Sequence, residues 1–271
     1  MLLCFTSGEG PSLMCALRRA FTFLVFVCWL PLSGTQAFAT DPTEAFDKGV
    51  AAYDAGDFVG TARWFRQAAE QGNVEAQVNL SVMYHLGRGV QKDYAEAARW
   101  YRAAAEQGNA QAQSNLGSSY ENGRGVHQDY GEAVRWYRLA ANQGNAVAQY
   151  SLGRMYKHGR GVRQDHTQTV HWFRKSAAQG DAVGQASLGI MYIGGKGVAQ
   201  DYAKGIPLLR SAAEQGMGEA QYYLGLMYYH GDGVRKDDVE AVRWFRKAAE
   251  RGIQVAKDAL SALKGKGDRT N

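Results

Sequence analysis

The residues best suited to chemistry are spread thinly along this chain. Six histidines occur, His85, His127, His158, His166, His171 and His230, and none pair at ligand spacing within one helical stretch. A metal site needs three or four converging ligands. His158 and His230 hold equivalent places 72 residues apart, and with neighbouring helices about 8–10 Å apart they are too distant to share one ion. Solvated surface positions and no metal are therefore expected. Cys4, Cys15 and Cys28 all precede residue 29, so the remainder of the chain can form neither a disulfide nor a cysteine-based zinc site. The patterns G-x-S-x-G, H-E-x-x-H and Walker A are absent. Five short glycine loops, at Gly87, Gly123, Gly159, Gly195 and Gly231, invite comparison with phosphate cradles. None ends in Gly-Lys-Ser/Thr, and Gly195-Lys196-Gly197 is followed by Val198. Five copies at one recurring place read as turns between helices. No nucleophile–base pair, catalytic residue or cofactor is expected.

The elements that carry these residues follow from their spacing. Trp64, Trp100, Trp136, Trp172 and Trp244 recur at multiples of 36, with Leu208 at the vacant step, and Gly72, Gly108, Gly144, Gly180, Gly216 and Gly252 keep the same interval. A fixed period of this length indicates a stacked repeat architecture. In the unit 73–108, Asn73 is a good N-cap, and Ala76, Leu80, Met83 and Tyr84 fall on one helical face. Gly87 and Gly89 end this first helix, here called helix A. Helix B begins after Asp93, with Glu96 three residues on completing an acidic capping box. Ala97, Tyr101, Ala104 and Ala105 form its inner face, and Gly108 supplies the left-handed C-cap. Asn109, Asn145 and Asp181 repeat the first cap; Met217 does not. The Trp and Tyr series is expected to be core. One unit departs from the pattern: Gly205 and Pro207 fall within helix B of 181–216, which predicts a bent or less stable pair with faster hydrogen exchange.

These units resemble Sel1-like repeats, a branch of the tetratricopeptide superfamily. The likeness is carried by Ala148, Leu152, Gly153, Met155 and Tyr156, by the loop Gly159 to Val162, and by the ending Ala213 to Gly216. It covers residues 43–267. It implies an all-α, right-handed solenoid of antiparallel helix pairs that serves as a binding scaffold, without shared catalytic residues. The organisation is then a tetratricopeptide-like cap over 40–72 and five repeats, 73–108, 109–144, 145–180, 181–216 and 217–252. A capping helix over 253–264 and a disordered tail over 265–271 complete it.

The same resemblance directs the most variable positions of helix A, those matching 75, 78, 82, 85 and 86, into a concave groove. In the later units they become apolar and aromatic: Tyr150, Ile190, Ile193, Tyr222, Leu226 and Tyr229, with Arg154, Lys157, His158 and His230 among them. An uncovered patch of this kind marks a partner site. A protein or peptide partner is expected there, with Arg154 and Lys157 meeting acidic groups; contact between neighbouring helices A, or self-association, is the plainer reading. Two further alternatives are a binder of cell-wall or surface polysaccharide and a hydrolase of cell-wall or drug substrates.

Composition bounds the partner. The chain has 271 residues, 45% of them hydrophobic, with a net charge of +5 and a pI of about 9.0. That is mildly basic, and no nucleic-acid partner is expected. Arg88, Arg124, Arg160 and Lys196 share one loop position, but Asp93, Asp129, Asp165 and Asp201 follow each by five residues. Mixed charge of this kind suits a solvated face. Residues 1–39 read as a secretory signal. Arg18 and Arg19 precede an apolar run from Ala20 to Leu32, and Ala37-Phe38-Ala39 fits a cleavage site before Thr40. Met14 would give a more ordinary start. Contact with a membrane is thus expected only through that transient segment, and a periplasmic or secreted location follows.

Overall fold

The computed structural model describes residues 41–267; the signal segment, and residues 268–271 of the expected tail, lie outside the described residues. Thirteen α-helices occur among them. A first pair, α1 (Pro42–Asp54) and α2 (Phe58–Glu70), precedes five repeated pairs: α3 (Val74–Leu86) with α4 (Tyr94–Glu106), α5 (Ala110–Asn122) with α6 (Tyr130–Asn142), α7 (Ala146–His158) with α8 (His166–Ala178), α9 (Ala182–Gly194) with α10 (Tyr202–Glu214), and α11 (Gly218–His230) with α12 (Asp238–Glu250). The last helix, α13 (Gln254–Gly267), runs three residues past the boundary expected for the capping helix. Each helix packs on the one before and the one after it, so the chain is an all-α solenoid.

Each pair is fixed by the same local chemistry. Asn73 Oδ1 accepts from the Ala76 N–H at 2.8 Å, and Asn109 and Asn145 repeat this; Met217 provides no side-chain cap. Helix A stops because Gly87 takes φ +72°, a left-handed conformation that glycine adopts without penalty. The second loop glycine has another role. A Cβ on Gly125 would stand 1.8 Å from the Tyr94 carbonyl oxygen, so the loop lies directly against the preceding helix B. The Asp93 carboxylate caps helix B by accepting from Ala95 and Glu96 N–H groups. The reciprocal half of the expected box is not made. The Asp93 N–H already donates to the Tyr84 carbonyl at 3.0 Å, which closes the loop, and the Glu96 side chain turns to Arg99 instead.

Small residues set the helix separation. A Cβ on Gly153 of α7 would lie 2.6 Å from the Phe173 ring of α8, so this glycine is what lets the ring sit flat against the backbone. Trp100, Trp136, Trp172 and Trp244 are buried, as are Tyr101 and Tyr137, in agreement with a core role, while Trp64 of the first pair is half-buried against the core. Each of those tryptophans also lies under a basic side chain, for example Arg135 at 4.1 Å from the Trp136 ring. Polar side chains tie the stack together. Gln113 Nε2 donates to the Ala105 carbonyl of the preceding repeat, while its Oε1 accepts from Gln143 at 2.8 Å. At the end of the array Arg251 replaces this second glutamine, and the buried Gln221 Oε1 has no partner.

Pro207 lies inside α10, which is unbroken and has the same length as its counterparts. Around it α9 and α10 approach closely. A Cβ on Gly205 would come within 2.9 Å of the Gly189 carbonyl oxygen. Close backbone contact between two glycines accompanies the missing N–H there.

Candidate functional site

Burial divides helix A into fixed and free positions. In α3, Ala76, Gln77, Leu80, Ser81, Met83 and Tyr84 are buried between the helices B on either side. Positions 75, 79, 82 and 86 form a strip along the remaining face, flanked by 78 and 85. The helices A meet along this face: α7 touches α9, and an ion pair joins α5 to α7. In α5 the strip is polar throughout, Gln111, Asn115, Ser118 and Asn122. In α11 it is Glu219, Tyr223, Leu226 and His230.

The expected groove residues all lie along this face, but the apolar ones are half-buried rather than open to water. Tyr150 stacks on Phe173 with ring centres 5.5 Å apart and planes 21° apart. Ile190 and Ile193 pack on the core around Leu209. Tyr222 packs on Phe245 at 5.7 Å. Leu226 and Tyr229 line a cavity of about 120 Å³ with Phe245, Ala259, Ala262 and Leu263. Ala259, Ala262 and Leu263 of α13 therefore cover the apolar positions Leu226 and Tyr229 of the expected groove. Tyr229 also meets the His230 ring edge-on at 4.9 Å. His158 and His230 are exposed and Lys157 half-buried. Tyr223, 42% exposed, is the aromatic that does face solvent. It was missed because its position holds Asn79, Asn115, Ser151 and Ser187 elsewhere.

Arg154 is already engaged within the chain. Its guanidinium pairs with Glu121 Oε1, and Glu121 Oε2 accepts from the Tyr137 hydroxyl at 2.9 Å. Glu121 is only 6% exposed. Burial, reinforced by the Glu121 charge, pushes the Tyr137 phenol well above its usual range, so it stays protonated and donates. A buried carboxylate needs such partners, because an isolated one is strongly disfavoured. Arg154 Nε is also enclosed, without a partner. Acid recognition by Arg154 would have to compete with Glu121.

The histidines are not uniformly exposed, contrary to expectation. His85 is half-buried and packs edge-on against Tyr94 at 5.2 Å. His166 is half-buried too, because it opens α8 beneath the next loop, where a Cβ on Gly197 would strike its carbonyl. His85, His158 and His171 all have lowered pKa values, from burial first and nearby cations second. No cluster of three metal-ligating side chains occurs among the described residues. In the loop row, Arg88 lies on the Phe58 ring and donates to the Tyr53 hydroxyl at 3.0 Å. No described helix is long and apolar enough to cross a membrane.

Comparison with known proteins places this geometry. The Sel1 repeat family model matches six times, at 61–73, 74–109, 110–145, 146–181, 182–217 and 218–253. A Sel1 repeat protein from Oxalobacter formigenes is 34% identical, with a TM-score of 0.76 over 81% of this chain and 87% of that one. The protein c5321, described as a protective antigen present in uropathogenic Escherichia coli strains and displaying an SLR fold, is 39% identical, with a TM-score of 0.75. The match covers 83% of this chain and 49% of c5321, so the chain spans about half the length of that antigen. A third solved structure, a Sel1 repeat protein from Klebsiella pneumoniae, is 20% identical with a TM-score of 0.50 over 75% of this chain and 99% of that one, a likeness of fold alone. No curated protein matches the chain.

Proposed function

Because the chain belongs to the Sel1 repeat family, whose members are generally protein–protein interaction scaffolds, we propose that it is an adaptor of the bacterial cell envelope. It holds a protein partner along the strip of its helices A. The supporting observation is the division of each helix A: positions that face helices B keep their character from repeat to repeat, while the strip changes from polar in α5 to mostly apolar in α9 and mixed, with Tyr223 and Leu226, in α11. A surface that varies over a constant frame is suited to selecting one partner. The family fold is a non-catalytic scaffold, and the strip holds no nucleophile beside a general base.

Export rests on the apolar run and small-residue site before Thr40. Fractionation of the source cells should find a mature chain beginning at Thr40 in the envelope fraction. For the binding role, the test is affinity capture from an envelope extract with the mature protein and a strip variant, Ser118→Arg/Ser187→Arg/Tyr223→Ser. The variant should keep the native circular dichroism spectrum and lose the partner captured by the wild-type chain. Undiminished capture by a folded variant overturns the proposed surface.

A further inference from the structure

Charge is unevenly placed along the array. Repeats 109–144 and 181–216 each carry three basic and three acidic residues. Repeat 145–180, between them, carries Arg154, Lys157, Arg160, Arg163, Arg174 and Lys175 against Asp165 alone, a net +5. That equals the formal charge of the whole chain. In three other repeats the outer arginine of helix B is neutralised in place, in the pairs Arg99–Glu96, Arg135–Glu132 and Arg243–Glu240. In this repeat Gln168 and His171 stand at those positions. Asp165 is occupied as the N-cap of α8, accepting from Thr167 and Gln168 N–H groups. Lys157, Arg160 and Arg163 make no ion pair among the described residues. Lys157 and Arg160 gather with His158, which feels their charge, where α7 ends and its loop begins, and Arg163 follows in the same loop.

The next helix A offers the complementary chemistry. Ile190 and Ile193 of α9 occupy the places that Arg154 and Lys157 occupy in α7, and the two helices are in contact. A basic column and an apolar column thus run side by side. A bare polyanion would satisfy the first and leave the second unfilled. A segment with carboxylates along one edge and apolar side chains along the other would satisfy both.

We infer that the third repeat and α9 form a docking site for an acidic, amphipathic peptide segment of the partner. Its carboxylates lie on Lys157, Arg160 and Arg163, and its apolar side chains lie on Ile190 and Ile193. This rests on the proposed strip and adds the chemistry of its occupant. Arg154 stays with Glu121 and orders the floor of the site.

The test is selection of a random peptide library displayed on phage against the mature protein, with a counter-selection on Lys157→Glu/Arg160→Glu. Arg160 is exposed and Lys157 half-buried, and circular dichroism checks the fold. Enriched peptides should combine Asp or Glu with apolar residues at helical spacing. The best of them, synthesised and labelled, should bind the double variant at least tenfold more weakly, weaken as salt rises, and bind the control Lys175→Glu as the wild type. Ile193→Ser should weaken it as well. Enriched peptides without excess acid, unaffected by charge reversal but lost in the Tyr223→Ser variant, would overturn this inference and leave the strip standing. Peptides indifferent to both changes, or no enrichment at all, would overturn both. Displacement of the peptide by oligo(dT) at equal charge concentration, with affinity for oligo(dT) unchanged in Ile193→Ser, would show a general polyanion surface and also overturn it.

Discussion

Helices α5 and α11 have the same length, the same left-handed glycine at the C-terminus and the same covered residues, Ala112, Gln113, Leu116 and Gly117 against Ala220, Gln221, Leu224 and Gly225. Their open sides differ. In α5, Glu121 is a buried carboxylate held by Tyr137 and Arg154. In α11, Leu226 and Tyr229 meet Phe245 and the end of α13. The difference shows that the frame and the strip are independent: the frame comes from packing between helices A and B, and the strip is free to carry any chemistry. Within the strip, a polar stretch is held by internal charge pairing and an apolar one by a covering helix.

Breaking the frame should have the largest effect. Gly153→Leu forces side-chain atoms into the Phe173 ring, which a Cβ alone would approach to 2.6 Å, and should cost about 3 kcal/mol. Gln111→Leu, an exposed strip position, should stay within about 0.5 kcal/mol. Urea midpoints compare the two, and equal shifts would contradict the separation of frame from strip.

Within the polar stretch, Glu121→Gln removes the anion that Arg154 and Tyr137 share. Arg154 is partly solvated, so the loss should be about 2 kcal/mol, below the range for a fully buried pair. Adding Arg154→Met should recover part of it, and a double-mutant cycle measures the coupling.

In the apolar stretch, Tyr222→Ser/Leu226→Ser removes half-buried contacts beneath α13 and should destabilise that end by roughly 1–2 kcal/mol. Amide exchange should rise in α13 and α12 while α5 and α6 are unchanged. Tyr223→Ser, on the open side, should alter exchange in neither region. This is why Tyr223, rather than Tyr222, Leu226 and Tyr229 together, separates binding from stability.

The smallest effect is that of pH. His85, His158 and His171 have folded pKa values below the ordinary 6.5. The unfolded chain therefore binds more protons as pH falls through that value, and stability declines with it. A thermal midpoint modestly lower at pH 5.5 than at pH 7.5 is expected. Replacing Lys157 and Arg160 with alanine should raise the His158 midpoint in an NMR titration.

Much of the frame was legible in the sequence because its grammar is local. Asn73 to Ala76, Asp93 to Glu96 and the glycines at helix ends act within a few residues, and the 36-residue interval multiplies the signal. The strip was legible as variable positions, but its state was not. Tyr137 and Arg154 lie 16 and 33 residues from Glu121 in the chain, so their convergence depends on how repeats stack. The covering of Leu226 and Tyr229 by Ala259, Ala262 and Leu263 depends on how α13 packs on α11 and α12, which its place in the chain does not reveal. Gln113 and Gln143 were visible as recurring letters, and only their 2.8 Å contact reveals a clamp.

The central claim is that the strip of helices A is the surface that meets the partner. Photo-crosslinking side chains placed at Ser118, Ser187 and Tyr223, and at the outer positions Arg135 and Lys204, test it directly in the cells that make the protein. The account predicts that the three strip sites capture one common protein and the two outer sites do not. Capture of that protein from the outer sites, with none from the strip, would contradict it.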